Sequence, residues 1–197
     1  PPDTRQAMEL LRNISVITDT VSGKNYMNSR VEMVDEDGRF DCRVKITGST
    51  TGKGKLVISL RPFNPEGVSF VHEISSSDKE WLVNGKDRLI FDADIEKQLF
   101  SHYRKGDVLN HLTDEQGEKN AVCDVGLCTC AALFDIEPGR ERQITVTVPL
   151  KERTAKASGH KGVFYKKWTE AISPVPEIEI PDKKFKYLFD TSIRSLL

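Results

Sequence analysis

The run Arg61-Pro62-Phe63-Asn64-Pro65-Glu66-Gly67-Val68-Ser69-Phe70-Val71-His72 puts a guanidinium, an amide, a carboxylate and an imidazole within one short stretch. Those groups together can hydrogen-bond hydroxyls, pair with anions or exchange a proton near neutral pH. Such work needs a backbone that holds them still. Pro62 and Pro65 fix φ and remove ladder donors, Gly67 permits a positive φ, and Asn64 can close an Asx turn. The run is expected to be a rigid corner that projects Arg61, Asn64, Glu66 and His72. The plainer expectation is that Arg61 and Glu66 simply pair across it.

Other groups with chemical potential are more scattered. Cys123, Cys128 and Cys130 are spaced C-x4-C-x-C, without the matched second pair or the histidines of a structural zinc site, so they read as thiols filling a core. On a strand Cys128 and Cys130 share a side, with Thr129 opposite. Glycoside hydrolysis usually needs two carboxylates set across the scissile bond. Asp35, Glu36 and Asp37 instead cluster at one turn, and Asp114, Glu115 and Glu118 at another. No Ser-His-acid motif, phosphate-binding glycine loop or H-E-x-x-H pair occurs, and no cofactor is expected. A sugar-mutarotase-like site would need a histidine acid and a glutamate base, from His72 with Glu73 or from His102 and His111 with Glu96. Adjacent strand residues point to opposite faces, which sets His72 against Glu73. Trp81, Tyr103, Tyr165 and Trp168 are the rings available to stack on a pyranose, and core packing is the ordinary alternative for Trp81.

The elements that must position these groups read mainly as β-strands. Asp3 or Thr4 can cap a short helix through Gln6, Met8, Leu10 and Leu11, giving a helical preface over residues 1–13. From 14 to 150 the pattern becomes strands: 15–21, 29–34, 40–47, 55–61, 69–74, 80–83, 88–92, 98–103, 108–112, 121–125, 128–134 and 143–150. Asp37-Gly38, Gly52-Lys53-Gly54, Asn84-Gly85 and Pro138-Gly139 supply the turns between them. Phe40, Cys42, Val44 and Ile46 alternate with Asp41, Arg43, Lys45 and Thr47, giving one inward and one wet face. Many short strands with explicit turns predict an antiparallel two-sheet β-sandwich with short flanking helices. Residues 151–181 read as a linker with a short helix over 162–171, carrying Phe164, Tyr165 and Trp168, and then a proline-rich connector. Asp182 can cap a final helix over 182–197 whose apolar stripe has too much to bury alone.

Composition narrows the function classes. Lys and Arg number 29 against 30 Asp and Glu, so the basic excess of a nucleic-acid binder is missing. No apolar run approaches the roughly 20 residues of a membrane span. Four cysteines in a chain of this size favour a reducing, cytoplasmic setting. The opening at Pro1 and the ending at Leu197 suggest an excised fragment.

The stretches LRPFNPEGVSFVHEI (60–74) and WLVNGKDRLIF (81–91) resemble the N-terminal β-sandwich, supersandwich-like, of glycogen-debranching-like glycoside hydrolases of the amylo-α-1,6-glucosidase type. KYLFDTSIRSLL (186–197) is similar to the entry into the (α/α)6 barrel that follows in that family. The resemblance implies a non-catalytic domain whose parent carries its catalytic carboxylates on the barrel, which is absent here. It implies that barrel as partner, with α-glucan or another oligosaccharide as a further ligand and a weak homodimer of the isolated piece. Arg61, Asn64, Glu66, His72, Trp81, Tyr103 and Trp168 are the candidates to face barrel or sugar. The alternatives are a stand-alone carbohydrate-binding module and a mutarotase- or epimerase-like enzyme.

Overall fold

The computed structural model describes residues 3–11, 15–36, 39–64, 66–115, 117–150 and 178–196. Among them, nine strands form one antiparallel sheet in the order β1 (Thr4–Leu10), β2 (Val16–Ser22), β3 (Asn25–Glu36), β4 (Arg39–Ser49), β14 (Glu141–Pro149), β10 (Asp87–Phe91), β9 (Glu80–Val83), β8 (Glu73–Ser76) and β12 (Asn120–Val122). A second sheet holds β11 (Lys97–Ser101), β13 (Thr129–Ile136) and β5 (Gly54–Leu60), with β13 central. A two-stranded ribbon joins β6 (Phe63–Asn64) to β7 (Gly67–Val68). The chain is mainly β, and its two larger antiparallel sheets make the expected sandwich.

Strand β13 shows why the sheets stack. Its residues Cys130, Ala132, Phe134 and Ile136 point into the main core with Ile74, Trp81 and Phe91 of the large sheet. The alternate residues Ala131 and Leu133 join Leu99 and Val108 in a second, smaller core on the other side. A strand covered on both faces cannot alternate polar with apolar, which is why TCAALFDI is nearly continuous in hydrophobicity. Strands β4 and β14 lie in register through Ile46 with Ile144 and Val44 with Val146, so their apolar faces coincide. At Gly48 the sheets approach closely: a Cβ there would stand 3.2 Å from Leu56 Cδ1 and 3.3 Å from Ile136 Cδ1.

Trp81 is completely buried and packs edge-on against Phe91, with ring centroids 4.9 Å apart. Its indole N–H donates to Gln98 Oε1 at 2.9 Å, and Gln98 Nε2 donates to the Ser77 carbonyl at 2.8 Å. A buried tryptophan needs such an acceptor, and the buried Gln98 supplies it across the two sheets. Trp81 therefore belongs to the core and presents no face to a ligand.

Several expected elements differ. The helix expected within 1–13 is strand β1, laddered to β2 from Thr4 opposite Ser22 to Leu10 opposite Val16. Gln6, Met8 and Leu10 step by two, as on one face of a strand and on no single helical face, and the pairing with β2 follows that period. Thr4 Oγ1 donates to Ser22 Oγ and Gln6 Nε2 to Thr20 Oγ1, so even the side chains follow the ladder. The strand expected over 108–112 is a short 3₁₀ turn, Val108–His111, because Asp107 accepts from the Leu109 N–H and closes the turn before a ladder can form. Asp41, expected on the wet face of β4, is only 2% exposed and has Arg43 Nη2 at 3.9 Å from its carboxylate.

The chain divides into two compact units, residues 1–34 with 40–151, and residues 35–39 with 152–197. In the second unit helix α1 (Lys183–Leu196) starts where expected: Asp182 Oδ1 accepts from the N–H groups of Lys184 at 2.8 Å and Phe185 at 3.1 Å. Along it Lys186 pairs with Asp190 at 2.6 Å, while Phe185 and Leu188 are exposed. The expected helix over 162–171 and Trp168 lie outside the described residues, as do the contributions of Pro65 and the Asp37-Gly38 turn.

Candidate functional site

The registers bring both sheets to an end at the same place. Leu60, the last residue of β5, faces Cys130 of β13, and Ser101, the last of β11, faces Thr129. In the large sheet the Asn84-Gly85 turn, the start of β8 and the end of β12 meet there, with Ile74 opposite Val83 and Glu73 opposite Val122. Strand β14 also runs toward this end, since Phe91 pairs with Val146 and Ile90 with Thr147.

The corner from Arg61 to His72 crosses between the sheets at this end. Pro62 is buried at its start. Asn64 Oδ1 accepts from the Glu66 N–H at 2.9 Å, the expected Asx turn, and Asn64 Nδ2 donates to Ser69 Oγ at 2.6 Å. Gly67 sits at φ +139°, where a side chain would be strained. The return is held by other elements. The Val71 N–H donates to the Gly126 carbonyl at 2.8 Å, the Cys128 N–H to the Val71 carbonyl at 3.0 Å, and the Cys123 N–H to the His72 carbonyl at 2.8 Å.

Two residues unpredicted from the sequence fix this corner. Asp107 receives Arg61 Nε at 2.8 Å and Nη2 at 2.7 Å on one carboxylate oxygen, while the other oxygen caps the 3₁₀ turn. Arg61 thus pairs with Asp107 instead of Glu66, and its guanidinium lies 5.3 Å from the Phe63 ring centre. Asn84, at φ +51°, accepts from the His72 N–H at 2.7 Å and the Glu73 N–H at 3.3 Å. Its amide donates to the Phe70 carbonyl at 3.0 Å. The Asn-Gly turn was legible as a hairpin, and an asparagine at positive φ has its side chain free for such ties. That was the available signal.

This end presents apolar as well as polar side chains to solvent. Phe63, Phe70, Tyr103 and Val122 are each more than half exposed, Val68 and Val125 somewhat less. Glu66 is exposed, and His72, also exposed, turns Nδ1 to the Cys123 carbonyl at 3.2 Å. At the end of β11 a polar cleft of about 380 Å³ is lined by Ser101, His102, Lys105, Glu118, Asn120 and Val122, among others. The histidine–glutamate sets expected for proton transfer do not assemble. His102 stands beyond one end of β11 and Glu96 beyond the other, where Glu96 accepts from Arg142 Nη2 at 2.9 Å. His111 is committed to structure: its ring nitrogens face the Lys105 carbonyl at 2.9 Å and Asp114 Oδ2 at 2.8 Å. That carbonyl first, and the Asp114 carboxylate second, hold its pKa above the ordinary 6.5.

All four cysteines are free thiols, and Cys123, Cys128 and Cys130 lie in the main core. Cys128 and Cys130 share the inner face of their segment and Thr129 takes the opposite one, where its hydroxyl accepts from the Val108 N–H at 3.0 Å. No helix among the described residues is long and apolar enough to cross a membrane.

No family model matches the chain, and no curated protein does. Among solved structures, one described as "Putative kojibiose phosphorylase from human microbiome" has a similar backbone course, with 10% sequence identity and a TM-score of 0.41. The match covers 86% of this chain and 23% of that one, so the chain spans about a quarter of that protein's length.

Proposed function

We propose that the chain is a non-catalytic β-sandwich domain of a carbohydrate-active enzyme of the glycogen-debranching-like type. Its corner end docks on an (α/α)6 catalytic barrel of the same polypeptide and helps to shape the sugar subsites. The observation that carries this reading is the contrast between the ordered backbone of the Arg61–His72 corner and the exposed Phe63, Phe70, Tyr103 and Val122 around it. Apolar side chains gathered on a preorganised surface mark a docking face, and β14 directs the chain toward that end. Arg61, Asn64, Glu66, His72 and Tyr103 are the residues that would lie at this junction. The test is to substitute Phe63 and Phe70 by Asp in the polypeptide that includes the following reading frame. The reading requires lower sugar release from limit dextrin with the sandwich's own melting unchanged. Full activity in that variant, or a following frame without a barrel bearing paired acidic residues, would refute it.

The polar cleft at the end of β11 favours a second reading, a sugar-binding module. His102, Lys105, Glu118 and Asn120 can hydrogen-bond hydroxyls while the exposed ring of Tyr103 offers a stacking face. Calorimetry with maltooligosaccharides decides it. Binding that is lost in Glu118→Gln and Tyr103→Ala supports the module, and no heat at millimolar sugar removes it.

A further inference from the structure

Asn84-Gly85 is the one Asn-Gly pair in the chain. Asparagine is chemically labile, and most so before glycine, which has no side chain to shield its backbone nitrogen from the carboxamide of the residue before it. Gly85 is exposed at φ +67°, and a Cβ placed on it would have nothing within 4 Å. Asn84 is half-buried, and its carboxamide is held at both ends. Oδ1 accepts from the His72 N–H at 2.7 Å and the Glu73 N–H at 3.3 Å, and Nδ2 donates to the Phe70 carbonyl at 3.0 Å. The peptide unit carrying that carbonyl also holds the Val71 N–H, which donates to the Gly126 carbonyl at 2.8 Å. One peptide plane of the corner is therefore fixed on one side by the Asn84 amide and on the other by the turn at Gly126.

We propose that Asn84 is a modification site, a deamidation whose rate is set by opening of the corner and whose product releases the Phe70–Val71 peptide. The Gly85 nitrogen attacks Asn84 Cγ, the new C–N bond closes a succinimide ring, and the Cγ–Nδ2 bond breaks. Nδ2 leaves as ammonia with the proton that the Gly85 nitrogen gives up. Water then adds to one of the two ring carbonyls and opens the ring, leaving either aspartate at 84 or isoaspartate, in which the main chain runs through the former side chain. Water enters, ammonia departs, and nothing is oxidised or reduced.

Nδ2 leaves only by breaking its bond to Phe70, so the folded corner holds the reaction back until it opens locally. The product cannot restore that bond, because an ionised carboxylate only accepts. It still accepts from the His72 and Glu73 N–H groups, and Asp tolerates the φ of +51° as Asn does. The loss is confined to the donation to Phe70. Isoaspartate lengthens the turn by one backbone atom besides.

The test ages the full chain in mildly alkaline buffer, native and in urea, and follows each asparagine by peptide mapping. Asn84 should convert ahead of the other asparagines in both conditions, and about tenfold or more slower in the native chain than in urea. Gly126→Ala, whose Cβ would collide with Phe70, should speed the native conversion, while Gly139→Ala leaves it unchanged. In Asn84→Asp and in the aged chain, hydrogen exchange should rise at the Val71 N–H and stay slow at those of His72 and Glu73. Equal rates in the native chain and in urea, another asparagine leading in the native chain, or a Val71 N–H that stays protected in Asn84→Asp would each overturn the proposal. The rates and the exchange after ageing are read on the unaltered chain, so the proposal stands or falls even if Gly126→Ala fails to fold.

Discussion

Gly126 and Gly139 offer a matched pair for separating backbone strain from steric collision. Their φ values are +70° and +71°, so alanine at either position meets the same unfavourable left-handed backbone. That costs about 1–2 kcal/mol, of which roughly 0.4–1 is returned because alanine restricts the unfolded chain. At Gly139 nothing lies within 4 Å of the added Cβ, so Gly139→Ala should cost about 1 kcal/mol in all. At Gly126 the added Cβ would fall 2.8 Å from Phe70 Cβ, 2.9 Å from Phe70 Cδ1 and 3.0 Å from His72 Cε1. The Phe70 ring is exposed and can swing, but its Cβ moves only with the backbone. That backbone is tied through Asn84 to the Phe70 carbonyl and through the Val71 N–H to Gly126 itself. Relieving the collision must lengthen at least one of these hydrogen bonds, each worth about 0.5–1.5 kcal/mol. Gly126→Ala should therefore cost about 2–4 kcal/mol. Equilibrium urea unfolding of both variants measures the difference, and hydrogen exchange should rise at 70–72 and 123–128 in Gly126→Ala alone. Equal losses in the two variants would mean that the corner yields freely, and the preorganisation argued for it would fail.

Trp81→Phe should cost about 2–4 kcal/mol by urea unfolding, since it opens a void and leaves the buried Gln98 Oε1 without its donor. Adding Gln98→Leu should recover part of that loss, and a purely additive double variant would count against the cross-sheet bond. His111 has a folded pKa raised above 6.5, so its stabilisation is full below that value and is lost as pH rises through the folded pKa. Melting curves from pH 5.5 to 8.5 should show His111→Gln flattening that decline, and parallel curves would refute the assignment. Phe185 and Leu188 of α1 are exposed, and weak self-association through this helix is the expected consequence. Replacing Leu188 and Ile193 by Glu should abolish any dimer seen by sedimentation while leaving the sandwich's melting in place, and an unchanged dimer would place its interface elsewhere.

The parts of the fold legible in the sequence were those fixed by period and turn chemistry. Phe40 to Ile46 and Ile144 to Val148 alternate, and Asn84-Gly85 and Pro138-Gly139 turn the chain where their permitted φ values allow. Sequence pattern failed at the start of the chain, where a capping signal at Asp3 or Thr4 suggested a helix although Gln6, Met8 and Leu10 step by two, as in the strand that pairs with the hydroxyl-rich β2. It failed again at Val108, where an apolar start hides a turn that Asp107 caps. Asp41 reads as a wet-face residue because its neighbours alternate perfectly, yet burial depends on what covers a strand and not on the strand's own pattern. The candidate site was legible in its local half. Asn64 closes its turn two residues ahead, whereas Arg61 finds Asp107 46 positions away and His72 finds Asn84 12 away.

That division explains how the corner can be stiff without being self-sufficient. Pro62, the Asx turn and Gly67 bend the segment, but a two-stranded ribbon of Phe63 with Val68 and Asn64 with Gly67 is too short to hold a conformation in water. Its order comes from Asp107 beyond β11, Asn84 between β9 and β10, and Gly126 before β13. These belong to both sheets, so the surface at this end is ordered only when the sandwich is assembled. Arg61–Asp107 is half-exposed and contributes at most about 1 kcal/mol, while the tie of the Val71 N–H to the Gly126 carbonyl joins two buried residues whose polar groups would cost more to leave unpaired. The exposed aromatics consequently sit on a frame set by Asp107, Asn84 and Gly126, which are not among the exposed residues. On the docking proposed above, a substitution at Asn84 or Gly126 should lower sugar release in the limit-dextrin assay as strongly as one at Phe63.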